Sequence, residues 1–234
     1  YSYFRQRFAQ VTNPPMDSLR ESMVMSLRMH LGRRGSPLVE KPAYAQMLRI
    51  EHPVLLPEEM SALRSFPGFP CATIDATYEG HSRPEALEAA LDTLCRRAEV
   101  AARKGARLLV ISDRKMNAER APIPALLAVG AVRQHLVRTG LRARVGLVVE
   151  AGDAMEQHHV ATLVGYGAEA VHPWLAMETV ATLFAEAAHG RTDAEHRAPR
   201  LVRGLLSLLP ARAFQPDLPA HPRDRDHFVH HPPI

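Results

Sequence analysis

Cysteine is scarce: Cys71 and Cys95 are the whole supply. Two thiols build no disulfide framework and are too few for a structural zinc site or an iron–sulfur cluster. Aromatic residues make up 6% of the chain, and none interleave with a basic stripe as nucleic-acid stacking platforms would. No run approaches the ~20 apolar residues that a bilayer span requires. The opening YSYFRQRF also lacks the apolar core of a secretory signal. These absences point to a reducing cytoplasm, with neither membrane nor nucleic acid as a partner. The net charge of +4 and pI near 9.4 come from arginines scattered along the helices and thickening toward the C-terminus, which reads as a solvated surface.

What is present fits a globular chain. Its 234 residues, 46% hydrophobic and 23% charged, suffice for one core with an appendage. Three stretches differ in texture: a helical and irregular segment over residues 1–66, a βα core over 67–190, and an Arg/Pro/His-rich tail over 191–234. Asn13-Pro14-Pro15 reads as a helix entry. The helix then carries Met16, Leu19, Met23, Leu27 and Leu31 on one face and ends at Gly32. Residues 33–56 read as irregular, broken by Gly35, Pro37, Pro42 and Pro53. Pro57-Glu58-Glu59 opens a short helix toward Phe66.

From residue 71 short apolar runs alternate with amphipathic stretches. Strands are expected over 72–76, 107–112, 144–150 and 169–172, and helices over 84–104, 123–139, 155–164 and 175–188. The helix faces are Leu87, Leu91, Leu94 and Ala98 in the first, and Ala125, Val129, Val132 and Leu136 in the second. Gly105, Gly140 and the Gly165-Tyr166-Gly167 turn stop the helices. About four βα units with near-continuous apolar strands argue for an α/β fold with a parallel sheet, either a half-barrel or an open layered sheet. Four units cannot close a barrel, so the strand edges are expected to need covering from a larger chain. The tail, with little periodicity outside LVRGLLSLL, is expected to be disordered.

Candidate chemistry gathers at the strand ends, where Asp75, Asp113, Glu150 and His172 stand in a row. Parallel sheets collect function at their carboxyl ends, and paired carboxylates can do acid–base work or hold a divalent cation. The competing reading is structural: polar residues end strands where chain meets solvent or a neighbouring domain. No nucleophile is paired with a base, and the structural reading is the one preferred. Adjacent His158-His159 point apart on a helix and cannot share an ion, since metal pairs need a spacing of three or four. His135 lies on the preceding helix. His227, His230 and His231 form at most an adventitious metal site. The Gly165–Gly167 turn precedes a strand, the wrong end for a phosphate cradle. Nothing in the sequence beside Cys71 or Cys95 would activate a thiol.

The string from Phe4 to Arg20, FRQRFAQVTNPPMDSLR, resembles the opening of the central domain of the glutamate synthase large subunit. The likeness continues through SDR (112–114), PIPALLAVGAV (122–132), GLRARVGLVVEAG (140–152) and GYGAEAVHPWLAMET (165–179), covering roughly residues 3–182. The family string LLAVGAVHHHL is replaced here at Arg133 and Gln134, and VNPYLA at His172 and Trp174. Such changes suit a scaffold and would be worrying at catalytic positions. The family's helix toward the flavin domain is not found after residue 188, so either the chain is truncated or the reading frame has shifted near Ala188.

The resemblance implies a role in an enzyme that makes glutamate from glutamine and 2-oxoglutarate, an oxidoreductase acting on CH–NH2 donors. In that family an N-terminal cysteine hydrolyses glutamine, ammonia moves through a tunnel, and a flavin barrel reduces the adduct. Residue 1 here is Tyr, and the three cluster cysteines are missing. The resemblance therefore implies no cofactor in this chain, with FMN and an iron–sulfur cluster in another domain of the parent. It implies the glutaminase and flavin-barrel domains as partners, and an isolated chain that is inactive. It places Thr12 and Asn13 at the narrow entrance of the ammonia tunnel; the competing reading is that Asn13 merely caps the helix, and one residue could do both. Two other functions stay open: an independent barrel-type enzyme using Asp75, Asp113 and Glu150 on a small molecule or metal, and an interaction module with a basic tail.

Overall fold

The structure, a computed structural model, describes residues 1–5, 26–35, 38–39, 41–79, 83–188 and 229–230. Its centre is a parallel sheet of four strands, β3 (Cys71–Asp75), β5 (Leu108–Ser112), β7 (Gly146–Glu150) and β8 (Ala170–His172), adjacent in that order. The order never reverses, so each crossover moves one place along the sheet, as in a sector of a barrel. The connecting helices are α2 (Pro84–Arg103), α3 (Ala125–Arg138) and α4 (Gln157–Gly165), with α5 (Trp174–Ala188) after β8. Each agrees with its sequence expectation to within about two residues, the usual uncertainty of helix ends. Pro84 opens α2, and Pro124 and Pro173 stand immediately before α3 and α5. Proline's fixed φ suits a first turn that needs no donor. Gly140 and Gly167 turn the chain from helix toward strand in the left-handed region, at φ 69° and 111°.

The central strands are buried on both faces, and their alternation sorts the core. Leu109, Ile111, Leu147 and Val149 pack against Leu94 and Ala98 of α2, Val129, Val132 and Leu136 of α3, and Leu163 of α4. Leu108, Val110, Val148 and Ala170 point the other way. There they meet α1 (Pro57–Arg64) and an antiparallel pair, β1 (Met29–Leu31) and β2 (Leu48–Ile50), through Leu31, Leu48, Leu55, Met60, Leu63 and Phe69. The chain thus fills the inner face of its own sheet.

Three expectations are corrected here. A helix running to Leu31 gives way to β1, which pairs with β2; Leu27, one helical turn before the buried Leu31, is exposed, so the two do not form a helical stripe. The rest of that helix, residues 16–25, lies outside the described residues. The stretch 33–56 is not wholly irregular: it holds a 3-10 turn, Pro42–Tyr44, and strand β2. The outer edge of β8 is covered by this chain itself. Val171 N–H donates to Pro53 O at 2.7 Å, and Leu55 N–H donates to Val171 O at 2.9 Å. A further antiparallel pair, β4 (Thr77–Glu79) with β6 (Arg120–Pro122), stands beyond the strand ends. Of the tail, only β9 (Val229–His230) is described; it pairs with β2.

At the amino end of the sheet Glu169 is buried and receives Arg142 Nη2 at 3.0 Å, with Arg34 Nη2 at 3.3 Å. Burial pushes its pKa up, opposed by both guanidinium groups. Gly146 leaves room for this contact. A Cβ there would stand 2.8 Å from both Glu169 Oε2 and the Gly32 backbone nitrogen, and 3.0 Å from Leu108. Gly146→Ala is therefore expected to destabilise the fold by about 1–3 kcal/mol, as overpacking against backbone does. A lowered urea midpoint with an unchanged slope checks this.

Candidate functional site

Strand register places Asp75, Ser112, Glu150 and His172 side by side across the carboxyl end of the sheet. Equivalent positions in a parallel ladder share a face, here the inner one toward α1. Three of the four sequence candidates thus come together. Asp113 does not: one residue beyond Ser112, it serves the opposite side. Ser112 completes the row and was not singled out as a candidate from sequence. Its place at the last position of a strand aligned with Glu150 was the available signal.

Glu150 occupies the middle and is 2% exposed. Its Oε2 accepts from Ser112 Oγ at 2.5 Å and Arg64 Nη2 at 2.7 Å, and its Oε1 accepts from Arg114 Nε at 2.9 Å. Arg64 comes from the end of α1 and Arg114 from the loop after β5. Arg114 also donates to Glu178 of α5 at 3.0 Å, and its guanidinium carbon lies 4.8 Å from the Trp174 ring centroid. A buried carboxylate is tolerated when charged donors fill its lone pairs.

The other candidates are also occupied by protein partners. Asp75 accepts from the Thr77 backbone at 2.9 Å and hydroxyl at 2.7 Å, and pairs with Arg120 at 3.3 Å and Lys115 at 3.8 Å. Burial pulls its pKa up, but the Thr77 bonds and the two cations together hold it below the usual carboxylate range. Asp113 accepts from Trp174 Nε1 at 2.7 Å and Gly152 N–H at 2.8 Å, while burial pushes its pKa up. His172 Nδ1 lies 2.7 Å from Leu55 O, which fixes Nδ1 as the donor. Burial pulls its pKa down, against the Leu55 bond and the charge of Glu150. Each polar group at the strand ends thus stitches one element to another, and each is already engaged by protein partners rather than left as a free acid, base or nucleophile.

His135 pairs with Glu99 at 2.7 Å. His159 stacks on the Tyr1 ring at 4.1 Å, and the Tyr1 hydroxyl donates to Asp153 at 3.3 Å. Burial pulls His159 down and pushes both cysteine thiols up, the reverse of activation. Thr12 and Asn13 lie outside the described residues, as do His227 and His231. Among the described residues no helix is long and apolar enough to cross a membrane.

Residues 1–207 match the family model described as the glutamate synthase central domain. The chain is similar to the NADH glutamate synthase of Schizosaccharomyces pombe, 44% identical over 78% of this chain and 9% of that protein. It is 44% identical to the NADPH glutamate synthase large chain of Azospirillum brasilense, over 77% of this chain and 12% of the other. The chloroplastic ferredoxin-dependent glutamate synthase of Spinacia oleracea is also 44% identical, over 76% and 11%. The chain spans about a tenth of the length of these relatives.

Two outcomes check the site. Glu150→Gln sets an amide N–H2 among donors and removes the charge opposite Arg64 and Arg114. It should cost about 2 kcal/mol, below the range for a fully buried pair because both arginines keep about 40% exposure; denaturant unfolding reads it. Below the unfolded histidine value of ~6.5 the unfolded chain takes up a proton that the native ring resists, so stability contributed by neutral His172 is lost as pH falls through that region. His172→Asn removes this contribution. The midpoint should fall less between pH 7.5 and 5.5 in His172→Asn than in the parent.

Proposed function

The chain belongs to the glutamate synthase central domain family, and from that premise we propose that it acts inside a glutamate synthase as a non-catalytic connector. In this reading the whole enzyme makes glutamate from glutamine and 2-oxoglutarate, in the cytoplasm. The connector seats the glutaminase domain against the flavin-barrel domain and borders the path that ammonia takes between them.

The observation that carries the reading is the strand-end row. A barrel enzyme keeps the carboxyl ends of its strands free for substrate and cofactor. Here Asp75, Asp113, Glu150 and His172 are all engaged with Thr77, Trp174, Arg64, Arg114 and the Leu55 carbonyl. The same row argues against an independent enzyme using Asp75, Asp113 and Glu150. The donor set fits neither FMN nor an iron–sulfur cluster: the inner face is filled with apolar side chains, and the two cysteines sit on different elements with thiols pushed toward the protonated form. Both groups are assigned to the flavin-barrel domain.

The relatives' names support a role shared by all members. Three enzymes named for NADH, NADPH and ferredoxin are each 44% identical to this chain. A domain touching the electron donor would be expected to track that difference. One that only holds and conducts would not. The domain division follows the same logic: residues 1–66 bring the tunnel loop, 67–190 form the core, and 191–234 are the Arg/Pro/His-rich tail.

Thr12 and Asn13 are the gate in this reading, since small polar groups can hydrogen-bond ammonia without protonating it. In a full-length glutamate synthase carrying this domain, Thr12→Val with Asn13→Leu should lower glutamine-dependent glutamate formation by roughly tenfold or more, about 1.4 kcal/mol. Glutamate formation from added ammonia should persist, and glutamine hydrolysis should run ahead of synthesis. Equal loss of the glutamine- and ammonia-dependent rates would refute the gate.

A further inference from the structure

The two outer edges of the parallel sheet differ. On β8 the outer edge is taken by residues 53–55. On β3, Pro70 O accepts from Leu108 N–H at 3.2 Å and Ala76 N–H donates to Ser112 O at 2.8 Å. Alternate residues of a parallel strand face opposite neighbours, so residues 70, 72, 74 and 76 address β5. Cys71, Thr73 and Asp75 therefore turn their backbone N–H and C=O outward, and among the described residues no strand pairs with them. Thr73 is exposed, whereas every residue of β5, β7 and β8 is buried.

Open edges are usually guarded by lysine, proline, a bulge or an inward charge. The strand Cys-Ala-Thr-Ile-Asp has none of these before its last residue. At its carboxyl end lies a groove of about 320 Å³ between α2 and the β4–β6 pair, lined by Asp75, Thr77, Ala90, Thr93 and Arg97 among others. A second groove of about 350 Å³ continues from Thr93 and Arg97 along α2 past Val100 and Lys104.

We propose that β3 is a docking edge, and that its occupant is an extended segment of the same glutamate synthase polypeptide from outside these 234 residues. That segment adds a fifth strand to the sheet. About nine-tenths of each relative's length lies outside the stretch that matches this domain, which covers 9–12% of them. Three outward backbone positions fit a short strand held by main-chain bonds. The small alanine side chains on α2 suit apolar side chains of modest size, and Arg97 and Lys104 suit a carboxylate at the far end. The inference rests on the connector reading, and would make this edge one of the seams between domains.

The test is residue-resolved hydrogen exchange on the full-length enzyme. Thr73 and Asp75 amides should exchange as slowly as Ile74, whose amide faces β5. Thr73→Pro removes one outward donor and leaves the β5 ladder whole, as proline can at an edge. It should speed exchange at least tenfold in one segment outside residues 1–234, and so identify the occupant. Rapid exchange at Thr73 and Asp75 beside a slow Ile74 overturns the proposal. So does protection that vanishes on dilution, which would make the occupant a second copy of the enzyme. Neither result touches the ammonia gate, whose failure is read in the rates.

Discussion

One buried carboxylate organises the carboxyl rim of this domain. Moving a charge such as that of Glu150 out of water costs several kcal/mol unless its oxygens are fully engaged. The fold meets that demand with Ser112, Arg64 and Arg114. Ser112 and Arg114 come from the end of β5 and the loop after it, and Arg64 from α1, so satisfying one side chain of β7 brings two other pieces of chain to one point. Arg114 extends the web to α5 through Glu178 and Trp174, and Trp174 in turn holds Asp113. The middle of the rim is therefore one connected network with its charged centre out of solvent.

At the opposite end of the sheet a second buried carboxylate meets its two cations through one oxygen, Oε1. Glu169 sits buried before β8, with Arg142 and Arg34 as its cations. Arg34 follows β1, so this second carboxylate fixes the amino end of the inner cap as Arg64 and Glu150 fix the other. Between the two clamps the space is filled by leucine, isoleucine, methionine and phenylalanine. A sheet clamped at both ends and filled between them cannot flex open to admit substrate along its inner face. Rigidity of this kind is what the proposed connector role requires.

The βα units could be read from the sequence because each was written twice. Apolar runs such as LLVIS and GLVVE mark strands, and the prolines and glycines between them mark where helices start and stop. The cap was harder. Met29–Leu31 has three residues, too few for a period to declare itself, and Leu27 and Leu31 happen to fall at helical spacing. Only the hairpin partner Leu48–Ile50 decides the matter, and that is tertiary information. The site divides the same way. The row of strand-end polar residues was legible as a set of positions. Arg64 lies 86 residues from Glu150, and nothing local announces the pair. Asp113 was grouped with the row because it follows the strand, whereas register assigns that place to Ser112.

The two departures from the family string at the end of β8 bear on what the rim does. Where VNPYLA is the expected wording, this chain has His172 and Trp174. The ring of His172 donates to the Leu55 carbonyl, and an asparagine amide can donate in its place. Trp174 donates to Asp113 through its indole N–H, and a tyrosine carries a donor at the tip of a similar plate. Both exchanges keep a donor where the fold needs one while altering the acid–base character of the residue. Histidine titrates near neutrality and asparagine does not titrate. A rim whose work was proton transfer could not change one for the other freely. A rim whose work is to hold α1, β5 and α5 in register can, because it is the hydrogen bond that bears the strain and not the proton.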